Sequence, residues 1–353
     1  MSTFKCEVVP VVLEPHPDAD SLSIVKVWGY TVVVKTNDWT GVDRGVYIPP
    51  DSVVPDNDRF HWLYEARVNG EVRPIGAKRA KRHGRITVRK VRGVVSQGLL
   101  VPIAHDQVPG YDGIRDVPVE MGTDMATEWG ITHYEPPVSL ETGGDNVHGP
   151  SIYAPKYDVE SLSRYPHCIP EGTPVSITEK VHGCNGRYVC WSGYSEVDGG
   201  LPLEMFCGSR TVWKKESESS VWWQALRQNP WIEEWCRNHK DHVLYGEVFG
   251  QVQNLRYGAR PGQLFFRAFD VLRWEYWLDV ADFCLTLSEE RRMPVLYEGP
   301  FSVEKARELA EQDSVVCPGQ LSEGVVITPL TECTHEEIGR VKLKMVSNRY
   351  LGR

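Results

Sequence analysis

The stretch EKVHGCNGRY, residues 179–188, sets a lysine, a histidine, a glycine, an asparagine and an arginine within eight positions. It lies between two strand patterns, PVSITEKV (174–181) and RYVCWSG (187–193). A lone K-x-x-G is common, and most lysines at a strand end are simply solvated. The longer form K-x-H-G-x-N-x-R fixes five identities, which chance would supply in about one chain in ten thousand of this length. The lysine therefore calls for a partner set elsewhere in the chain.

Working outward, 353 residues are long for one core and comfortable for two domains. A hydrophobic fraction of 41% and a charged fraction of 25% are ordinary for a globular protein. No run of eighteen apolar residues exists, so no membrane span is expected. The beginning, MSTFKCEVVPVV, lacks the basic and apolar regions of a secretory signal. Nine cysteines, an odd number without a CxxC pair, imply free thiols in a reducing cytoplasm and set cysteine metal chemistry aside.

The net charge of −9 disfavours nucleic acid on average, but one segment reverses it. Within AKRAKRHGRITVRKVR (77–92) stand Lys78, Arg79, Lys81, Arg82, Arg85, Arg89, Lys90 and Arg92, without an acid among them. A solvated loop would explain such a run, and so would a phosphate-binding face.

The first 130 or so residues read as short strands: CEVVPVVLEP, SLSIVKVWG, YTVVVKT, GVYIPP, RITVRKVRG and GLLVPI. Glycine punctuation and the lack of an amphipathic helix predict a small barrel. Residues 1–135 form this domain, 136–165 read as a Pro- and Gly-rich linker, and 166–353 form an α+β domain. In the latter, SVWWQALRQNPWIEEWCRN reads as a helix with a proline interruption and VEKARELAEQ as a second helix.

The lysine's partners follow in order. Arg210 ends the strand FCGSRTVW, Glu247 sits in LYGEVFG, Phe269 and Asp270 in FFRAFDV, and Glu323 in SEGVVI. Lys342 and Lys344 alternate along RVKLKMV, so they share a strand face. Each has a bland reading as a solvated strand end, an exposed edge or a core aromatic. One chemistry uses them all: an amine attacking the α-phosphate of a nucleotide, with cations to disperse charge and carboxylates to hold a divalent metal. For that attack, desolvation and the cations Lys342, Lys344, Arg187 and Arg210 are expected to depress the pKa of Lys180.

This ordered set resembles the covalent nucleotidyltransferase superfamily of ATP-dependent ligases and capping enzymes. KVHGCNGR is similar to the phage RNA ligase 2 branch, with its K-x-H-G-x-N. The resemblance implies an α+β, ATP-grasp-like adenylation domain in which Lys180 carries a covalent AMP. It implies that Glu179 reads the adenine amino group and that His182, Gly183 and Arg187 belong to the nucleotide pocket. Asn185 and Arg210 would touch ribose or the acceptor end, and Phe269, or alternatively Phe266, would stack on the base. Glu247 and Glu323 would meet ribose and metal-bound waters, while Lys342 and Lys344 would hold the α-phosphate.

Only nine residues follow Lys344, too few for the C-terminal domains of DNA ligases or of the phage enzymes. The accessory domain is then the front one, an order that resembles the Naegleria-type RNA ligases, where Asp stands in place of His182. PHPDADSLSIVKV and VRKVRGVVSQGLLV are similar to an OB-fold tRNA-binding module of aminoacyl-tRNA synthetases. The expectation is an ATP-dependent RNA ligase that uses Mg2+ or Mn2+ and joins 3′-hydroxyl to 5′-phosphate ends in RNA or tRNA repair, as a cytoplasmic monomer. The alternatives are a DNA ligase or capping-type nucleotidyltransferase, and a non-catalytic RNA-binding OB protein.

Overall fold

A computed structural model of the chain describes residues 4–68, 71–74, 84–103, 119–134, 145–150, 152–191, 203–240 and 242–352. It separates into two compact units, Met1–Pro136 with Leu351–Arg353, and Pro137–Tyr350.

The first unit is built of β-strands with two short helical turns, Thr36–Trp39 and His61–Leu63, among its described elements. A meander of Glu14–His16, Ala19–Val27 and Tyr30–Lys35 accompanies a three-stranded sheet of Glu7–Pro10, Arg44–Ile48 and Leu99–Pro102. Period-two alternation sends Val25, Val27, Val32 and Val34 inward onto Trp39, Tyr47 and Leu100. Strands Arg89–Val91 and Val94–Ser96 are joined by Arg92 and Gly93, both at positive φ (+43° and +88°), as a two-residue hairpin turn requires.

Within the basic run, Arg89, Lys90 and Arg92 are exposed. Arg85 is engaged internally: its guanidinium lies 2.5 Å from Asp51 and 3.7 Å from the Tyr134 ring centroid. Lys78, Arg79, Lys81 and Arg82 lie outside the described residues.

The second unit holds two antiparallel-rich sheets. The seven-stranded sheet runs in the order Asn146–Val147, Trp213–Lys214, Glu204–Gly208, Cys184–Trp191, His242–Gly250, Leu264–Arg273 and Tyr276–Trp277. The five-stranded sheet runs Glu160–Ser161, Leu343–Val346, Gly324–Pro329, Pro174–Lys180 and Val295–Pro300. The segment 136–165, expected as a linker, thus contributes an edge strand to each sheet.

Alternation assigns the faces. Val175, Ile177, Val325, Ile327 and Leu343 pack outward on the helix Val303–Ala310 through Ala306, Leu309 and Ala310. Tyr188, Cys190, Leu244, Val248 and Phe266 pack outward on the helices Val221–Gln228 and Trp231–Asn238, which Asn229 and Pro230 divide. The side chains of opposite parity are turned inward, and a cavity lies between the sheets, lined from both.

The stretch that opened the sequence reading is the corner of this arrangement. Lys180 is the last residue of a strand in the five-stranded sheet, and Cys184 is the first of a strand in the seven-stranded one. Only Val181, His182 and Gly183 connect them. A Cβ on Gly183 would land against the Val248 carbonyl oxygen, so this turn admits no side chain there.

Candidate active site

Lys180 shares its strand face with Ser176 and Thr178, and all three line the cavity. Its Nζ lies 2.8 Å from Glu323 Oε1, and His182 Nδ1 lies 3.2 Å from the other oxygen of the same carboxylate. The His182 amide donates to the Tyr257 hydroxyl at 2.7 Å, which fixes the corner. Burial alone would push the Glu323 carboxyl up, but Lys180 and His182 outweigh it and hold it at about 2. Glu247 behaves oppositely: burial, with the like charge of Glu323, pushes it up to about 8 against the pull of Lys180 and the Gly183 amide.

Burial lowers the pKa of Lys180, yet Glu323 and Glu247 outweigh that and leave it raised. The expected depression is therefore corrected for the free protein. The cations invoked for it are also arranged differently. Lys342 is buried on Asp270, Nζ to Oδ2 2.6 Å, and Arg210 pairs with Asp158 at 3.1 Å. Arg187 does not line the cavity. It is buried, donates to the Ala154 carbonyl at 2.6 Å, and lies 4.3 Å over the Trp213 ring. Its assignment to the nucleotide pocket is corrected, because the strand places it farther along the inner face, beneath the edge segment.

Lys342 and Lys344 both line the cavity, their shared strand face turned inward. Burial lowers the pKa of each, and Lys180 lowers that of Lys344 further. Asp270 Oδ2 also accepts from the Tyr157 hydroxyl (2.6 Å) and from Arg340 NH1 (2.7 Å). Burial would raise this carboxyl, but Lys342 and Arg340 hold it below its ordinary value.

Strand parity separates the two phenylalanines, Phe269 lying on the face of Phe265 and Arg267, and a β-bulge then turns Asp270 to that same face. Gly246 pairs with Ala268 and Tyr245 with Asp270, so Phe269 is the extra residue. It lines the cavity together with Asp270 and rests 4.6 Å from the Tyr157 ring. Phe266 faces the other way, packed on Tyr188 and Trp231 in the helix-side core, and the alternative of stacking through it is corrected.

Glu179 borders the cavity, with Oε2 accepting from the amides of Val315 (2.9 Å) and Val316 (3.2 Å). Its Oε1 and the Oδ1 of Asn185 are buried without a hydrogen-bond partner. Such oxygens are costly unless something satisfies them. Asn185 also stands directly across the strand pair from Glu247, the carboxylate that burial lifts to about 8. A carboxylate and an amide oxygen side by side form a hard donor pair that suits Mg2+ or Mn2+.

Residues 173–346 match the RNA ligase family, and residues 8–103 match an OB-fold domain; together they cover most of the chain. The second domain belongs to the RNA ligase family. The chain is an OB-fold domain followed by an α+β ligase domain. Among solved structures, the ligase resembles an apo lysine-to-alanine mutant of a Naegleria gruberi RNA ligase, 23% identical, with a TM-score of 0.74 over 99% of this chain and 98% of that one. A Naegleria gruberi RNA ligase mutant with ATP and Mn is 22% identical at a TM-score of 0.73 over 99% and 98% of the two chains. A Naegleria gruberi RNA ligase with PPi is 22% identical at 0.73 over 98% and 97%. No curated protein matches the chain. Among the described residues, no helix is long and apolar enough to cross a membrane.

Of the expected site, the ligase fold brings Lys180, Asn185, Arg210, Glu247, Phe269, Lys342, Lys344 and Glu179 to one cavity, with Glu323 and His182 immediately behind the lysine. Sequence reasoning missed Tyr157, hidden in the supposed linker. It also missed Arg340, although Arg340 continues the period-two spacing of Lys342 and Lys344 by one step.

Two outcomes are expected. Asp270→Asn strands the buried Lys342 ammonium and loosens Arg340, and should cost ~3–5 kcal/mol of stability, read as a lower urea midpoint; an unchanged midpoint would contradict the network. Glu247, raised in the folded state, gives stability that is full below its ordinary carboxylate range and lost as pH rises through about 8. Glu247→Gln should therefore flatten the decline in unfolding free energy between pH ~5 and ~8. A decline as steep as the parent's would assign it to other groups.

Proposed function

We propose that this ligase is ATP-dependent and seals 3′-hydroxyl to 5′-phosphate RNA ends through a lysyl-AMP on Lys180 and an RNA-adenylate. The observation that carries the reading is the single amine at the corner, between the carboxylates Glu323 and Glu247 on one side and the cations Lys342 and Lys344 on the other. A Naegleria gruberi RNA ligase of the same fold has been solved with ATP and Mn and with PPi, which are the substrate and by-product of such a first step.

In the first step the Lys180 amine forms an N–P bond to the α-phosphorus and the P–O bond to pyrophosphate breaks. The ammonium must first give up a proton, which Glu323 holds on it in the free protein. Glu247, poised near 8, is a carboxylate able to carry a proton at neutral pH. In the second step an oxygen of the RNA 5′-phosphate attacks the adenylate phosphorus, and Lys180 leaves and regains a proton. In the third the 3′-hydroxyl attacks the 5′-phosphorus and AMP departs.

Lys342 and Lys344 meet negative charge at the transferring phosphate in each step, and Asp270 keeps Lys342 in place. The unpartnered Glu179 Oε1 accepts a hydrogen bond from the adenine amino group, which a guanine carbonyl cannot donate. Phe269 offers its ring face to the base, and Arg210, half exposed, reaches toward ribose or the acceptor end. A divalent metal ion, when bound, neutralises phosphoryl charge and orients the leaving group; Glu247 and Asn185 are the residues suited to hold it.

The OB-fold domain is read as the RNA-binding module, through the exposed Arg89, Lys90 and Arg92. Its likeness to a tRNA-binding module motivates a tRNA-repair role in the cytoplasm, with the ligase acting as a monomer.

The decisive experiment mixes the protein, stripped of prebound AMP with pyrophosphate, with α-phosphate-labelled ATP and magnesium, then denatures it. Label should stay on the parent chain, be absent from Lys180→Ala, and form faster as pH rises, because the raised pKa of Lys180 keeps it protonated near neutrality. An unlabelled parent would remove the enzyme reading. For the substrate, a nicked anticodon stem-loop should be sealed faster than an unrelated nicked duplex of equal length. Equal rates, unaffected by deleting residues 1–130, would rule out tRNA repair.

A further inference from the structure

Away from the cavity, one group of side chains has no part in the ligase reading. His167 and Cys168 occupy the short helical turn Pro166–Cys168. His335 and Glu337 come from the hairpin of Thr334–His335 and Gly339–Arg340, whose turn Gly339 closes at φ +71°. Although 170 residues separate His167 from Glu337, a ring nitrogen from each histidine, the Cys168 thiol and a Glu337 oxygen all lie within 4.8 Å of one another.

We infer that His167, Cys168, His335 and Glu337 form a structural zinc site that fastens this hairpin to the Pro166–Cys168 turn. The donor set is two imidazoles, one thiolate and one carboxylate, the mixed N, S and O chemistry that Zn2+ takes. All four positions of a tetrahedron are filled by protein, which is the closed form of a structural rather than a catalytic site. Zn–S and Zn–N bonds of about 2.3 and 2.1 Å place tetrahedral ligand atoms about 3.5 Å apart. The observed spread therefore closes by roughly an ångström through rotation of His167 and Glu337, both exposed.

Cys168 supplies the fixed point. Its thiol is buried beside Leu162, Ile169 and Phe301, and burial, with Glu337 close by, pushes its pKa up to about 11. At neutral pH it is a thiol, so zinc would displace its proton to solvent as the Zn–S bond forms. Without a metal, the turn and the hairpin keep the packing of Ile338, an edge contact of the His167 and His335 rings and a 2.7 Å pair between the exposed His167 and Glu337, the last of a kind that contributes little to stability.

The site has a bearing on the cavity although its argument is independent of the ligase reading. The hairpin runs directly into Arg340, which is bonded to Asp270 and Glu332, and then into Lys342. Zinc would therefore hold the segment from which the two phosphate-facing lysines are hung. The ligands come as one vicinal His-Cys pair and one His-x-Glu pair, which is why a search for paired cysteines passes over them.

The test uses the full, untagged chain. Elemental analysis after purification without chelator should find one zinc per chain. The chelated protein, titrated with Co2+ under excess Mg2+, should develop a near-ultraviolet thiolate-to-cobalt charge-transfer band, which Cys168→Ser abolishes. Because Cys168 is buried, His335→Ala and Glu337→Gln serve as the second pair of variants, and each should weaken Co2+ binding at least tenfold. A zinc-free protein that gives no charge-transfer band would overturn the inference. So would a band of parental affinity in both surface variants.

Discussion

The buried carboxylate of Asp270 ties the two sheets of the ligase domain together. It lies on a strand of the seven-stranded sheet, while Lys342 and Arg340 lead into the five-stranded sheet, and the Tyr157 hydroxyl arrives from the edge segment. One oxygen thus receives three donors from two distant parts of the chain. The buried Lys342 ammonium is tolerable only because that carboxylate is there, and it is there only because the bulge at Phe269 turns Asp270 inward. The bulge thereby sets Asp270 beside Phe269 on one face, so the aromatic wall and the charge network meet at one backbone irregularity.

Around Lys180 the electrostatics are set against the reaction in the resting protein. Glu323 takes the ammonium directly and His182 supports Glu323 from behind, so the amine rests charged and oriented. A protonated lysine is inert as a nucleophile but well placed to receive a polyanion. Glu247 stands close to neutrality in its proton affinity, where a modest change in surrounding charge moves it. Binding and ionisation are therefore coupled through a few carboxylates rather than through a pre-lowered lysine.

Much of this was legible in the chain. The spacing of EKVHGCNGRY and the alternation of Lys342 with Lys344 survive folding intact, because a strand's parity is a local property. So is the division of the tryptophan-rich helix at Asn229 and Pro230. What failed was whatever depended on a distant partner. Arg187 has the correct parity, yet Trp213 and the Ala154 carbonyl claim its guanidinium. Phe266 and Phe269 are indistinguishable by composition and differ only in strand parity, while the register slip against Tyr245 and Gly246 that brings Asp270 to the face of Phe269 leaves no mark in the sequence. The sign of the lysine shift depended on which charges lie nearest, and the cations proved to be spoken for.

The three-residue corner from Val181 to Gly183 has a mechanical meaning of its own. With Lys180 closing one strand and Cys184 opening another, the two walls of the cavity are bound along that edge as pages are bound along a spine. The spacing of the walls at the Lys180 amine is thereby set by covalent backbone and not by side-chain packing. Any widening of the cavity must grow with distance from that spine. The Lys180 amine thus occupies the point of the cavity that breathing displaces least.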